Sequence, residues 1–318
     1  MEFQKIDWTW SKVDQIYSRE FGDFFKSHAM RVIPFELPDG NIRLYFSSRC
    51  KNDMMHPTFI DVDHKDPQKI LTINEAPLLT IGKPGLFDDS GITLGSIEKV
   101  EGQYLAYYTG WKRRRYNISF ELSIGVAKFN KDFSKLEKIS EGPIISQSIN
   151  NPYLVGGPFV KRLKDGTLNM WYCSGTEWKQ APHGPEPIYT IFKATSKDGL
   201  FWDTSNMEPQ IKYNYPGEVI SAPWIVQTTK GFLMYYCFRG SKNKEVKNYK
   251  IGVATSSDGE NWQRFDEAVG IKTSHEGWDS KMICYPAIYQ RDDKTIMFYS
   301  GNGVGKGGFG YAVASKLI

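Results

Sequence analysis

An aromatic run ending in small or polar residues recurs five times along the chain. It reads Leu44-Tyr45-Phe46-Ser47-Ser48, then Ala106-Tyr107-Tyr108-Thr109-Gly110, then Met170-Trp171-Tyr172-Cys173-Ser174-Gly175. It returns as Met234-Tyr235-Tyr236-Cys237-Phe238 and Met297-Phe298-Tyr299-Ser300-Gly301. Short apolar runs rich in aromatic residues and bounded by turn residues predict strands. With positions 46, 108, 172, 236 and 299 as markers, the spacings are 62, 64, 64 and 63, and five such units nearly exhaust the 318 residues. A fixed period of this size is the signature of a repeat architecture.

Each marker run follows a turn and an earlier apolar strand. The turns are Asp39-Gly40, Glu101-Gly102, Asp165-Gly166, Lys230-Gly231 and Asp293-Lys294. Asp-Gly between two β-patterned runs is a strong hairpin signal. Earlier strands such as Pro158-Phe159-Val160 and Pro223-Trp224-Ile225-Val226 open on proline, which is tolerated at a strand's first residue. A third strand follows a longer polar loop, as at Ile124-Gly125-Val126-Ala127 and Ile251-Gly252-Val253-Ala254. Matching turns, Ser196-Lys197-Asp198-Gly199 and Ser256-Ser257-Asp258-Gly259, lead to Trp202 and Trp262 and to a predicted fourth strand. The expectation is an all-β, five-bladed β-propeller with four antiparallel strands per blade, forming a single domain. The blades span approximately 25–80, 85–148, 153–213, 218–272 and 280–318, the last completed by residues 5–15. Trp8-Thr9-Trp10-Ser11-Lys12 resembles the Trp-bearing fourth strands and is expected to close the ring.

Strand order assigns loops to faces. The segment leading into each first strand and the loop after each second strand share one face, and those loops are the long ones. Chemistry is expected there. The lead-in segments carry His28, Asp88 and Asp89, Gly156 and Gly157, Glu218, and Asp279. The loops carry Arg49, Trp111, Glu177, Trp178, His183, Arg239 and Asn302.

Composition narrows the classes. The chain is 40% hydrophobic and 24% charged, with 14% aromatic residues, so it is globular and can bury a large core. The net charge of +4 is mild and the basic run Lys112-Arg113-Arg114-Arg115 is local, so no nucleic-acid partner is expected. No run approaches 18 apolar residues, so no membrane span is expected. Residues 1–7 lack an apolar signal core, and a cytoplasmic location is expected. Cys50, Cys173, Cys237 and Cys284 form no CxxC pair, and no metal site or cofactor is predicted.

Single carboxylates at the lead-ins, with Phe87-Asp88-Asp89-Ser90-Gly91, Gly157-Pro158, Ala222-Pro223-Trp224 and Gly277-Trp278-Asp279-Ser280, resemble the five-bladed glycoside hydrolase superfamily. That group includes arabinanases, β-xylosidases, invertase-like enzymes and mannoside phosphorylases. More narrowly, the chain is similar to glycosidase-like proteins encoded among bacterial polysaccharide genes, which implies a part in polysaccharide biosynthesis. The resemblance implies a blade-1 Asp as general base, a blade-2 Asp that tunes the acid and a blade-3 Glu as acid. Here those positions hold His28, Asp88 with Asp89, and Gly156, so two of three depart from the pattern.

Glycosyl transfer needs one group to protonate the leaving oxygen and another to activate or replace the nucleophile. Asp89 and Glu218 are the leading catalytic candidates, followed by Asp279, His28 and Glu177. Each has an ordinary alternative: a turn cap for Asp89, a loop salt bridge for Glu218, a structural corner for Asp279 and a buried ring for His28. Asp88, Arg49, Trp111, Trp178, His183, Arg239, Tyr285 and Asn302 are substrate-binding candidates. Trp111, Trp178 and Tyr285 suit stacking on a sugar or core packing. The arginines suit a phosphate or a carboxylated sugar. The expected ligand is a carbohydrate or sugar phosphate. The leading function is hydrolysis or transfer of a glycosyl group. The alternatives are phosphorolysis, a non-catalytic carbohydrate-binding propeller, and a protein-interaction propeller.

Overall fold

A computed structural model describes residues 9–17, 24–114, 117–182, 184–240, 247–291 and 294–315. Trp8, Arg115, His183 and Asp293 lie outside the described residues. The strands are β1 (Ser11–Tyr17), β2 (Phe25–Glu36), β3 (Ile42–Cys50), β4 (Met55–Val62), β5 (Ile70–Ile73), β6 (Gly91–Val100), β7 (Gln103–Arg113), β8 (Phe120–Phe129), β9 (Leu136–Lys138) and β10 (Val155–Arg162). They continue as β11 (Leu168–Lys179), β12 (Glu186–Ser196), β13 (Val219–Thr228), β14 (Gly231–Arg239), β15 (Lys250–Ser256), β16 (Gln263–Arg264), β17 (Cys284–Arg291), β18 (Lys294–Ser300) and β19 (Phe309–Ser315). All five marker runs are strands, on β3, β7, β11, β14 and β18.

The chain forms two compact units. The first comprises residues 1–51, 58–76 and 224–318, and the second residues 52–57 and 77–223. In the first unit β17, β18 and β19 form an antiparallel sheet. Its outer strand is β1, which pairs with β19 from Ser11↔Val313 to Tyr17↔Phe309 across two register shifts. The N-terminal strand therefore completes the last sheet. β2 pairs with β3, β4 with β5, and β14, β15 and β16 run side by side. Two apolar cores lie within this unit, one around Phe25, Phe46, Phe298 and Phe309, the other around Trp10, Tyr235, Met297 and Tyr299.

In the second unit β6 to β9 form one antiparallel sheet and β10 to β12 another. Their shared core holds Tyr107, Ile124, Val155, Met170 and Tyr172. The third repeat departs from the expected four strands. After Trp202 the chain makes only an isolated bridge, Thr195↔Asp203. It rejoins the sheet further on, where the Gln210 N–H donates to Ile191 (2.8 Å) and Thr190 Oγ1 to the Ile211 carbonyl (2.7 Å). The residues between them, Thr204 to Pro209, carry no ladder.

The turns before Trp202 and Trp262 are alike in atomic detail. Asp198 Oδ1 accepts the Leu200 and Phe201 N–H groups, and Asp258 Oδ1 those of Glu260 and Asn261. Ser196 and Ser256 each accept the glycine N–H at 2.9 Å. These are Asx-type turns, with glycine at positive φ directly after the aspartate. No helix among the described residues is long and apolar enough to cross a membrane. No cluster of three or more His, Cys, Asp or Glu among them is arranged to hold a metal.

Candidate functional site

Two lead-in segments, one in each unit, are built alike. In the second unit the Phe87 ring stacks on the marker Tyr108 (5.9 Å, 18°), and Tyr108 donates its hydroxyl to Asp88 at 3.2 Å. Lys138, on the outer strand β9, pairs with the same carboxylate at 2.6 Å. In the first unit Trp278 stacks on the marker Tyr299 (5.1 Å, 24°), Tyr299 donates to Asp279 at 3.0 Å, and Lys12 of the outer strand β1 pairs with it at 2.5 Å. Asp88 is 0% exposed and Asp279 2%. A buried carboxylate requires such partners. Burial, reinforced by the carboxylate, pushes both phenols upward, so each stays a donor. The small residue two places after the marker is what admits the stacked ring. A methyl at Gly110 would lie 2.5 Å from the Phe87 ring and one at Gly301 2.4 Å from Trp278. Asp88 and Asp279 thus occupy structural corners.

The remaining repeats vary the corner. In the third, Tyr172 donates to Asn151 at 3.0 Å, a neutral pair. In the fourth, Tyr236 donates to Asp266, which pairs with Arg264 of β16 at 2.7 Å. That carboxylate comes from beyond the outer strand, not from the lead-in. Glu218, in the lead-in to β13, is therefore not the corner group of its repeat. It is 0% exposed, and its Oε2 accepts the Asn214 N–H at 2.7 Å.

Around Glu218 the second unit gathers further polar groups. Tyr213 is half-buried, and its hydroxyl lies 3.0 Å from Thr176 Oγ1. Burial raises its phenol pKa, the Thr176 hydrogen bond lowers it, and neighbouring Cys173, Glu218 and Glu177 push it up further. Both glutamates are thus within electrostatic reach of one phenol. Glu177 follows a register shift in the β11–β12 hairpin. Next to it, Trp178 packs on Phe120 (5.7 Å), which packs on Trp111 (5.1 Å), giving a half-buried aromatic row. Trp111 donates its indole N–H to Thr93.

Asp89 is half-buried and accepts the Gly85 N–H at 2.9 Å and the Ser90 hydroxyl at 2.7 Å. At Gly156 a Cβ would lie 2.9 Å from Thr109 Cγ2, so the third lead-in has little room for an acidic side chain. The basic run is tethered within the unit: Arg113 donates to the Asp53 carbonyl at 2.7 Å, and Arg114 pairs with Glu121 at 3.2 Å.

The first unit holds the other candidates. His28 has a left-handed backbone (φ 63°), and its Nδ1 lies 2.9 Å from Ser27 Oγ. Arg49 lies on β3, opposite Ser27. The Arg239 guanidinium lies over the Tyr249 ring, 5.4 Å from its centroid. Tyr285, on β17, has φ 55° and donates its backbone N–H to Cys237 Sγ at 2.9 Å. Asn302 pins the fifth lead-in: its Oδ1 accepts the Lys281 and Met282 N–H groups and its Nδ2 donates to the Gly277 carbonyl at 3.0 Å. The sequence patterns single out neither Tyr213 nor Tyr249. Tyr213 carried a signal, since it lies in the polar segment just before Glu218.

No protein-family model matches the chain. Among solved structures, a glycoside hydrolase superposes with a TM-score of 0.76 at 17% identity, covering 97% of this chain and 92% of that one. A thermostable family-43 glycoside hydrolase gives 0.65 at 11% identity, with 95% and 93% covered. The Penicillium chrysogenum α-L-arabinanase complexed with arabinobiose gives 0.59 at 12%, with 97% of each chain covered. At these identities the likeness is one of fold: the chain has the all-β fold of propeller-type glycoside hydrolases. A sequence relationship goes further. The Mycobacterium tuberculosis H37Rv protein named "Uncharacterized protein Rv1502" is 33% identical over 311 residues, 96% of this chain and 98% of its own length. "Uncharacterized protein MT1551" of strain CDC 1551 matches to the same extent. The chain belongs to the family of these mycobacterial proteins.

Proposed function

We propose that the protein is a carbohydrate-active enzyme that hydrolyses or transfers a glycosyl group, with Glu218 at the centre of its site. The supporting observation is that Glu218 is a wholly buried lead-in carboxylate that does not serve as a corner. Asp88 and Asp279 each accept the hydroxyl of their repeat's marker tyrosine and pair with a lysine, whereas the marker tyrosine of the Glu218 repeat donates to Asp266. Asp89 and Glu177 are the candidate partners for the second carboxylate role. The Trp111–Phe120–Trp178 row supplies half-buried aromatic surface of the kind on which a sugar face stacks. The reading takes the five repeats as blades of one five-bladed domain closed by β1. It includes a cytoplasmic role in bacterial polysaccharide metabolism.

Turnover of a panel of glycosides, nucleotide sugars and sugar phosphates, with and without inorganic phosphate, tests this. Loss of turnover in Glu218→Gln, and in either Asp89→Asn or Glu177→Gln, is the expected result. Ligand binding without turnover across the panel would overturn the enzymatic reading. It would favour a binding propeller, a reading supported by the tight fit around Gly156.

A further inference from the structure

Four of the five first strands carry a residue with left-handed backbone at one place, 14 or 15 residues before the marker. It is Arg31 (φ 57°) on β2, Gly157 (φ 63°) on β10, Ala222 (φ 53°) on β13 and Tyr285 (φ 55°) on β17. Beside this residue the ladder slips register on β2, β10 and β17. The conformation is therefore a property of the strand, and the side chain is a separate choice. In the second unit the place holds Gly157 and Ala222, which add almost nothing. In the first unit it holds an arginine and a tyrosine, large side chains for which positive φ is unfavourable. Backbone strain of this kind concentrates where a side chain must be aimed at a site.

Both residues belong to one neighbourhood. Arg31 is 8% exposed, and its backbone N–H donates to Ser300 Oγ at 3.2 Å. Ser300 pairs with Cys284 in the β17–β18 ladder, so Arg31 lies beside Tyr285, whose phenol pKa burial raises and the Arg31 charge lowers. The Tyr285 N–H donates to Cys237 Sγ, two residues before Arg239 on β14, and the Ile283 N–H donates to the Tyr249 carbonyl at 3.4 Å. Tyr249 in turn carries the Arg239 guanidinium over its ring. The first unit thus brings two guanidinium groups and two phenols together from β2, β14, β17 and the segment before β15. A guanidinium has five N–H donors in a fixed fork, enough to bind an oxyanion at two points alongside a protein partner. Phenols that remain protonated add donors to the same anion.

We propose that Arg31, Tyr285, Arg239 and Tyr249 form a subsite for an anionic group on the carbohydrate, a carboxylate or a phosphate. This rests on the carbohydrate reading above, but it does not require that the sugar be turned over.

The test is equilibrium binding by calorimetry, using glucuronate, glucose 1-phosphate, inorganic phosphate and neutral methyl glucoside as probes. Arg31→Gly removes the charge and relaxes the backbone, so the fold is retained, and an unchanged melting temperature confirms it. The expected result is that at least one anionic probe binds more tightly than the neutral sugar. Arg31→Gly then weakens that probe about tenfold or more, consistent with loss of a charge-assisted pair, and leaves the neutral sugar unchanged. Arg31→Lys falls between, because it keeps the charge and loses the fork. The anion affected identifies the group: glucuronate a carboxylated sugar, glucose 1-phosphate a sugar phosphate, inorganic phosphate a free co-substrate. Equal binding of charged and neutral probes, no binding of any anion, or full anion affinity in Arg31→Gly would each overturn the proposal. Anion binding without turnover would leave the subsite standing and sink only the enzymatic reading.

Discussion

The charged corner at Asp88 and the neutral corner at Asn151 lie in the same unit and do the same job by different physics. Each receives a marker tyrosine hydroxyl, at 3.2 Å and 3.0 Å. Asp88 brings a full charge into a place with no exposure and needs Lys138 beside it. Asn151 is equally enclosed and satisfies its tyrosine without a cation. The corner therefore requires an acceptor, not an acid. A carboxylate in this position is compatible with catalysis by sequence pattern alone, yet its hydrogen bonds assign it to holding the strand. Glu218 stands outside this scheme, because Asp266 serves the tyrosine of its repeat.

Removing the corner carboxylate should have the largest effect. Asp88→Ala or Asp279→Ala leaves a lysine facing an emptied, buried site. Each should cost about 3–5 kcal/mol in urea unfolding, the usual penalty for breaking a buried pair. A neutral replacement, Asp88→Asn with Lys138→Met, copies the Asn151 corner and should recover most of that loss.

Next in size are the glycines that admit the stacked rings. Gly110→Ala and Gly301→Ala force a methyl into the Phe87 and Trp278 rings. Each should lower stability by about 1–3 kcal/mol, as overpacking does. Gly102→Ala is a poor control, because its φ of 83° adds backbone strain. Gly142→Ala, with open space around it, should change little.

Asn151→Ala leaves the Tyr172 hydroxyl buried without its acceptor and should cost roughly 1–2 kcal/mol. Asn151→Asp tests the charge directly. It installs a carboxylate where Asn151 is buried and burial disfavours the charged form, so it should be more destabilising at pH 7 than at pH 4.

The smallest effect is a titration. Burial raises Tyr172 to about 12, with Asn151 pulling it down. Tyr108 and Tyr299 are pushed further, because a carboxylate adds to burial. A raised phenol contributes stability in full below its unfolded pKa near 10 and loses it as pH rises towards the folded value. Alkaline unfolding should therefore begin above about pH 10, with Tyr172 the first of these three phenols to ionise. Tyr172→Phe should remove that first step from the absorbance titration and leave the later ones.

Much of this fold was legible in the chain because it rests on local pattern. Aromatic runs, Asp-Gly turns and the Ser-x-Asp-Gly motif each encode their structure within a few residues. The pairing of the N-terminal strand followed from Trp10 and its neighbours resembling an outer strand. The third repeat's broken outer strand was not legible, because Trp202 predicts a start and nothing local reveals that the chain leaves the sheet between Asp203 and Gln210. The corners were hidden for another reason. Lys138 and Lys12 reach their carboxylates from 50 and 267 residues away, contacts that no local pattern encodes. One signal was present. Asp88 and Asp279 both lie 20 residues before their tyrosine, and Asn151 lies 21 before. Glu218, at 18 before Tyr236, is out of that register. Arg31 stayed invisible because a left-handed arginine inside a strand leaves no mark in the sequence.

On the proposed function, lead-in carboxylates divide into corner groups, Asp88 and Asp279, and a working group, Glu218. The most direct measurement compares Glu218→Gln with Asp279→Asn for melting temperature and for turnover on the same glycoside panel. Glu218→Gln should melt within about 2 °C of the parent, on the order of 1 kcal/mol for a chain of this size, and lose turnover. Asp279→Asn should melt lower and keep turnover while folded. The reverse result, a stable, inactive Asp279→Asn beside a destabilised, active Glu218→Gln, would contradict it.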